Sequence, residues 1–126
     1  MKDNNVYVDL LIAACERIRS FTKDLTVEMF LQDDVRQSAV IMQLQVLGET
    51  SKKLNDVTKE KINVPWKKII GLRNVIAHDY FALKLDFVWQ MASQDVPVFE
   101  EELRAYLKAE GTDYIPPFGD RTPMLD

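Results

Sequence analysis

Apolar residues recur along this chain with a helical period, and nowhere with the two-residue alternation of a half-buried strand. Over residues 6–21 they fall at Val6, Leu10, Leu11, Ala14, Ile18 and Phe21, one stripe of an amphipathic helix with Asn5 placed as its N-cap. Thr26 can cap a short turn containing Met29, Phe30 and Leu31. Asp33 or Asp34 then opens a second long helix with the stripe Val40, Ile41, Leu44, Leu47 and Leu54, and Asn55 and Asp56 mark its end. A short, loosely ordered stretch is expected from there to residue 64. Pro65 suits the first position of a third helix, where its missing N–H is not needed, and Trp66, Ile69, Ile70, Leu72, Ile76 and Ala77 give that helix apolar surface. Asp86 is placed to cap a fourth, carrying Phe87, Val88, Met91 and Ala92. Pro97 forces a kink or restart near Asp95, after which Phe99, Leu103, Tyr106 and Leu107 continue the period until Gly111 stops it.

The pattern predicts an all-α fold: an up-and-down bundle of about four main helices plus short ones over residues 1–110. Residues 111–126 hold three prolines and two glycines without periodicity and read as an irregular tail, ordered only if it docks on something. The length suits one domain, and 47% hydrophobic against 29% charged residues argues against disorder. No apolar run approaches the ~18 residues of a membrane span, and the start MKDNN is not that of a signal peptide. Cys15 is the only cysteine, so no intrachain disulfide forms and a reducing, cytoplasmic address is expected. One cysteine and one histidine exclude a zinc site built from those ligands in a single chain. No Asp-x-Asp or Glu-x-x-His pairing asks for another metal, and neither a metal nor a cofactor is expected.

The net charge of −4 speaks against a nucleic-acid binder until its distribution is considered. Residues 52–73 carry seven basic groups (Lys52, Lys53, Lys59, Lys61, Lys67, Lys68 and Arg73) against Asp56 and Glu60, a local charge of +5, which leaves −9 for the rest. Solvated helix faces would explain such a run. However, it ends beside the only histidine, and Lys52, Lys53, Lys67 and Lys68 become candidates for RNA contact.

Residues 73–80, R-N-V-I-A-H-D-Y, interrupt a strongly apolar segment with polar groups. At about 100° per residue, Asn74 and His78 share a face, as do Arg73 and Tyr80 if the helix runs that far. Arg73 and His78 stand about 140° apart, so one rigid helix does not aim both at one atom. The helix distorts, the long Arg73 side chain reaches round, or the two converge across a subunit boundary. An imidazole that titrates near neutrality and a permanent, planar cation suit attack of a ribose 2′-hydroxyl on its neighbouring phosphodiester, with Asn74 orienting a phosphate oxygen or the imidazole. That reaction uses a base and an acid. A two-fold dimer would supply a second His78, whereas within one chain the partner would be Tyr80 or Asp79. The plainer readings are a capping or packing histidine, an Arg73 that is a surface residue or pairs with Glu49, an Asn74 that satisfies backbone, and a core Tyr80. Trp66 and Trp89 read as core before base-stacking platforms, and Met29, Met42 and Met91 as core or interface filler.

The run at 73–80 resembles the R-x-x-x-x-H-x-Y signature of the HepT-like ribonuclease toxins, a branch of the HEPN superfamily. L-G-E at 47–49, P-W at 65–66, G-L-R-N at 71–74, Trp89 and D-V-P at 95–97 extend the resemblance over about residues 5–108 in the family's order, whereas the tail has no counterpart. The resemblance implies a helical-bundle homodimer with the Arg and His near the interface, acting as the toxin of a toxin–antitoxin pair through metal-independent RNA cleavage. Arg73 and His78 would be the catalytic pair and Asn74 a supporting residue, with Glu49 placed to hold Arg73. The implied partner is a small nucleotidyltransferase antitoxin that silences the toxin by transferring AMP to the motif tyrosine, here Tyr80. RNA rather than DNA is the expected substrate, and no membrane is involved. Two other classes compete: a non-catalytic nucleotide-binding or scaffolding subunit of a nucleotidyltransferase complex, and an oligomeriser whose motif only knits the dimer together.

Overall fold

The helical period becomes helix over most of residues 4–117, the part of the chain that the computed structural model describes. Helix α1 spans Asn4–Thr22, α2 Val27–Leu31, α3 Asp34–Ser51, α4 Asp56–Glu60 and α5 Trp66–His78. A 3₁₀ turn at Tyr80–Ala82 leads to α6 at Leu85–Gln90, which passes through a π turn at Met91–Asp95 into α7 at Val96–Ala109. No strand occurs among the described residues, and no helix there is long and apolar enough to cross a membrane.

Burial follows the stripes. Leu11, Ile12 and Ile18 of α1 meet Leu44 and Leu47 of α3, Ile69, Leu72 and Ile76 of α5, Val88 of α6, and Leu103 and Leu107 of α7 in one core. Helix α1 lies against both α3 and α7, and α3 in turn against α5. A side chain such as Leu47, 1% exposed, contributes about 2–5 kcal/mol relative to alanine at such a position. The tryptophans pack: the Trp89 ring lies 5.2 Å from that of Phe30, and Trp66 meets Phe99 edge-on at 5.5 Å while its indole N–H donates to the Lys59 carbonyl at 3.1 Å. Met91 is in the core, whereas Met29 and Met42 face solvent.

Several local expectations need correction. Helix α1 already includes Asn5, which is therefore not its cap. Helix α3 ends at Ser51, before Leu54, whose buried side chain sits in the following turn. The stretch expected to be loosely ordered contains α4, because the Asn55 side chain accepts from the Thr58 N–H and caps a full turn. Pro65 precedes α5 as its N-cap instead of opening it. Lys84, not Asp86, is the N-cap of α6; the Asp86 carboxylate accepts from the neighbouring Phe87 N–H at 2.9 Å. Ala77 is exposed and adds nothing to the core. Thr26 and Asp33 do cap α2 and α3, accepting from Met29 and Arg36 N–H groups.

Pro97 neither breaks nor caps the chain sharply. In an α-helix its ring would press on the Ser93 carbonyl, and it has no N–H to offer. The π turn relieves this by lengthening the loop, with the Val96 N–H bonded back to the Met91 carbonyl five residues away. Gly111, at φ 69°, ends α7; Gly111 and Thr112 N–H groups close on the Lys108 and Leu107 carbonyls at 3.1 and 2.9 Å, the Schellman pattern. The tail then docks through Tyr114, whose hydroxyl donates to Glu16 of α1 at 2.9 Å while its ring lies under the Arg104 guanidinium of α7, 5.2 Å away. Residues 118–126 of the expected tail lie outside the described residues.

Candidate active site

Helix α5 presents the motif because its two faces differ. Ile69, Leu72 and Ile76, spaced by three and four, are buried against α3 and the core. The opposite stripe, Lys67, Gly71, Asn74 and His78 at i, i+4, i+7 and i+11, faces outward, with Lys67, Asn74 and His78 exposed. Arg73 belongs to neither stripe. Its stem passes the crossing of α3 and α5, where Gly48 lies buried. A Cβ at Gly48 would overlap Arg73 Cβ and stand 2.9 Å from its Cγ and 3.1 Å from the Ile69 carbonyl. The glycine is what lets the arginine through.

Beyond the crossing, Glu49 takes Arg73 Nε in an ion pair, and Nη1 donates to Asn74 Oδ1 at 3.0 Å. The Arg73 side chain is 19% exposed, so its stem is packed while its head is drawn toward the Asn74–His78 stripe. The helix runs undistorted to His78, and the Arg73 side chain reaches as far as Asn74 on the His78 stripe. No acceptor among the described residues takes up Arg73 Nη2, and none pairs with the exposed His78. Both groups stay available for a ligand.

Helix α5 stops at His78. Asp79 turns out of it at φ −151°, ψ 60°, its N–H still bonded to the Val75 carbonyl at 2.8 Å. Tyr80 consequently does not share the Arg73 stripe; it begins the 3₁₀ turn directly beyond the histidine. Its ring is 48% exposed and not core, and meets the Phe81 ring edge-on at 6.0 Å. Phe81 itself is 98% exposed. Of the basic candidates, Lys67 lies on the His78 stripe, about 16 Å away along the axis, and Lys68 next to it is engaged by Asp95 at 2.9 Å. Lys52 and Lys53 are exposed at the C-terminal end of α3, off that stripe. Among the described residues, no group of three or more His, Cys, Asp or Glu side chains gathers as metal ligands would. Cys15 is sealed in the core, where burial pushes its thiol far above the usual range and keeps it protonated.

A family profile described as "Ribonuclease HepT-like" matches residues 11–106, which include the whole constellation. The chain belongs to the HepT-like ribonuclease family. Among its relatives is a provisionally named RNase of Methanocaldococcus jannaschii, 32% identical over 103 residues that make up 81% of this chain and 94% of that one. A provisionally named RNase of Caldanaerobacter subterraneus subsp. tengcongensis is 30% identical over 111 residues, 87% of this chain and 99% of the relative. A chain from Thermococcus cleftensis provisionally named ribonuclease HepT is 33% identical over 92 residues, covering 72% and 84%. No solved structure matches significantly.

For this HepT-like chain, sequence reading grouped Arg73, Asn74 and His78 but gave no role to two glycines and one aromatic. Gly48 and Gly71 both occupy helix interiors, where glycine costs about 1 kcal/mol relative to alanine; that cost is the signal, and at Gly48 it is explained by the close approach of Arg73, whereas a Cβ at Gly71 would meet nothing within 4 Å. The exposure of Phe81 carries no sequence signal, because an apolar residue after an apolar helix is expected to be buried.

Proposed function

We propose that this protein is the toxin of a toxin–antitoxin pair, a metal-independent endoribonuclease that acts on RNA in the cytoplasm. The observation that supports the reading is the bond from Arg73, held by Glu49, to Asn74, which lies on the same exposed stripe of α5 as His78. In the reaction, one His78 imidazole takes the proton of a ribose 2′-hydroxyl while its oxygen attacks the adjacent phosphorus. The P–O5′ bond breaks, leaving a 2′,3′-cyclic phosphate, and the departing 5′-oxygen receives a proton from a second imidazole. Arg73 faces the charge that builds on the non-bridging oxygens, and Asn74 keeps its fork turned that way. Glu49 positions Arg73 by holding Nε, which leaves the outer nitrogens for phosphate. Lys67 on the same stripe, with Lys52, Lys53 and Lys68, extends the positive field along the strand.

The single histidine per chain calls for a second copy, so the working unit is a homodimer with its cleft at the two α5 C-terminal ends. Exposed Val35 and Met42, seven residues apart on one face of α3, favour this by giving that side of the bundle apolar surface to cover. Exposed Tyr80 and Phe81 beside His78 favour a single-stranded substrate, whose unpaired bases stack on aromatic rings. The same exposure leaves the Tyr80 hydroxyl accessible to a nucleotidyltransferase antitoxin. AMP transferred there would put negative charge and bulk over the cationic face and silence it.

The test is cleavage of single-stranded RNA by purified protein in EDTA. Cyclic-phosphate ends that form with wild type and vanish in His78→Ala support the reading. Intact RNA together with tight binding of AMP or ATP would instead make the protein an accessory nucleotide-binding subunit. After co-expression with a neighbouring nucleotidyltransferase, mass spectrometry should find the adduct on Tyr80, and an unmodified Tyr80 beside an active transferase would remove that part.

A further inference from the structure

Gly71 occupies the middle of α5 with nothing inside the chain to require it. A Cβ there would meet no atom within 4 Å, in contrast to Gly48, where Arg73 fills the space. The missing side chain keeps open a hollow of about 440 Å³ between the outer flank of α5 and the segment that runs from the 3₁₀ turn into α6. Val75, Leu83 and Phe87 give it apolar walls, and Lys68 and Lys84 are its charged members. Lys68 is occupied by Asp95, whereas the exposed Lys84 has no side-chain partner among the described residues.

We propose that this hollow is a nucleobase subsite, which receives the base of a nucleotide flanking the phosphate held over Arg73 and His78. The inference rests on the ribonuclease reading above and adds to it where the neighbouring base goes. Position supports it, because Gly71 shares the His78 stripe seven residues earlier, about 10 Å along the axis. Chemistry supports it as well. An aromatic ring at Phe87, 37% exposed, with aliphatic walls offers a flat apolar slot for a π-face, and Lys84 offers a cation to the attached phosphate. A paired base inside a duplex presents only its edge and does not enter, so the subsite selects unpaired RNA.

The experiment measures binding of a fluorescein-labelled, fully 2′-O-methylated oligoribonucleotide, which lacks the attacking hydroxyl, by anisotropy at fixed salt. Gly71→Leu should fill the hollow and weaken binding about tenfold, and a probe with one abasic position should bind wild type equally weakly. The substitution adds helix propensity and its Cβ meets no atom within 4 Å, so circular dichroism should show an intact fold. Lys84→Glu, at the exposed start of α6, should weaken binding of the intact probe more than that of the abasic one. Unchanged binding by Gly71→Leu overturns the subsite. Loss of the dimer in Gly71→Leu, seen by sedimentation, also overturns it by assigning the hollow to a second copy. Wild type that cleaves RNA but binds intact and abasic probes alike would sink the subsite alone. Wild type that neither binds the probe nor cleaves RNA sinks the ribonuclease reading, and the subsite with it.

Discussion

Two regions of this molecule pair arginine with glutamate, and they use the pairing differently. Between α1 and α7, Arg19 lays its fork on Glu100, Nε to Oε1 at 3.1 Å and Nη2 to Oε2 at 2.9 Å. Arg104 divides its donors between the same Glu100 and Glu16, each at 2.9 Å, and Tyr114 completes the shell of Glu16. The carboxylate at the centre, Glu100, is 9% exposed, and its charge is compensated by two guanidinium groups. Between α3 and α5, Arg73 is held by only one carboxylate, through Nε, and by one amide, through Nη1. The first region surrounds one nearly buried carboxylate with two guanidinium groups and fixes two helices and a tail. The second holds a single arginine through one carboxylate and one amide, on the helix that carries the exposed His78.

Substitutions can break or sharpen that contrast. The largest effect is expected for His78→Ala, about a 10³-fold loss of RNA cleavage measured by product formation, with an unchanged melting temperature because the ring is exposed. A melting temperature that falls in parallel would make the histidine structural. Arg73→Ala should lower the rate about a hundredfold or more, and Arg73→Lys should recover little, since an ammonium cannot span Glu49, Asn74 and phosphate with one planar fork. Full activity in Arg73→Lys would reduce the arginine to a point charge. Glu100→Ala should show the opposite phenotype. Thermal unfolding should register a loss of about 1–3 kcal/mol as a lost buried acceptor of charged hydrogen bonds, with cleavage per folded molecule intact.

Smaller effects distinguish positioning from chemistry. Glu49→Gln keeps shape but loses the charge on Arg73 Nε, and a rate about tenfold lower is expected at unchanged RNA affinity. If affinity falls and the rate does not, Glu49 is not positioning the catalytic fork. Tyr114→Phe removes one bond to Glu16 and should loosen the tail by about 1 kcal/mol, visible as faster amide exchange after Gly111 without any change in cleavage. Burial first, then the bond to Glu16, pushes the Tyr114 hydroxyl well above its ordinary value. The docked state therefore holds that proton longer than the unfolded chain does. Its contribution is complete below about pH 10 and is lost as pH rises above that, which exchange at alkaline pH would show.

Much of the architecture was legible because helical period and capping chemistry are local. The stripes of α1, α3, α5 and α7 lie mostly where the apolar spacing puts them, with Val6 (41% exposed) and Ala77 left outside the core and Leu54 beyond the end of α3, and Thr26 and Asp33 cap as their side chains dictate. The misses arose where neighbours intervene. Asn55 caps a single turn that has too few residues to show a period. The restart near Asp95 occurs as expected from Pro97, but its form, a π turn, is announced by no residue. Asp86 spends its carboxylate on the next N–H and leaves the capping position of α6 to Lys84. At the candidate site, the motif itself proposes Arg73, Asn74 and His78, but the exposure of Tyr80 and Phe81 could not be read from it, because it depends on α5 stopping at His78.

The amino-acid sequence by itself determined that this is a helical chain of the HepT-like family with one Arg–His motif, since residue type, spacing and similarity are properties of the string. Tertiary structure alone decided what each arginine pairs with. Arg19, Arg73 and Arg104 are the same side chain, each with Nε and one outer nitrogen engaged, and only the helix crossings decide that Arg19 and Arg104 share the nearly buried Glu100 while Arg73 passes Gly48 to reach Glu49 and Asn74. The reason is geometric: a guanidinium has five donors, and which acceptors they find is set by helices that meet far apart in sequence.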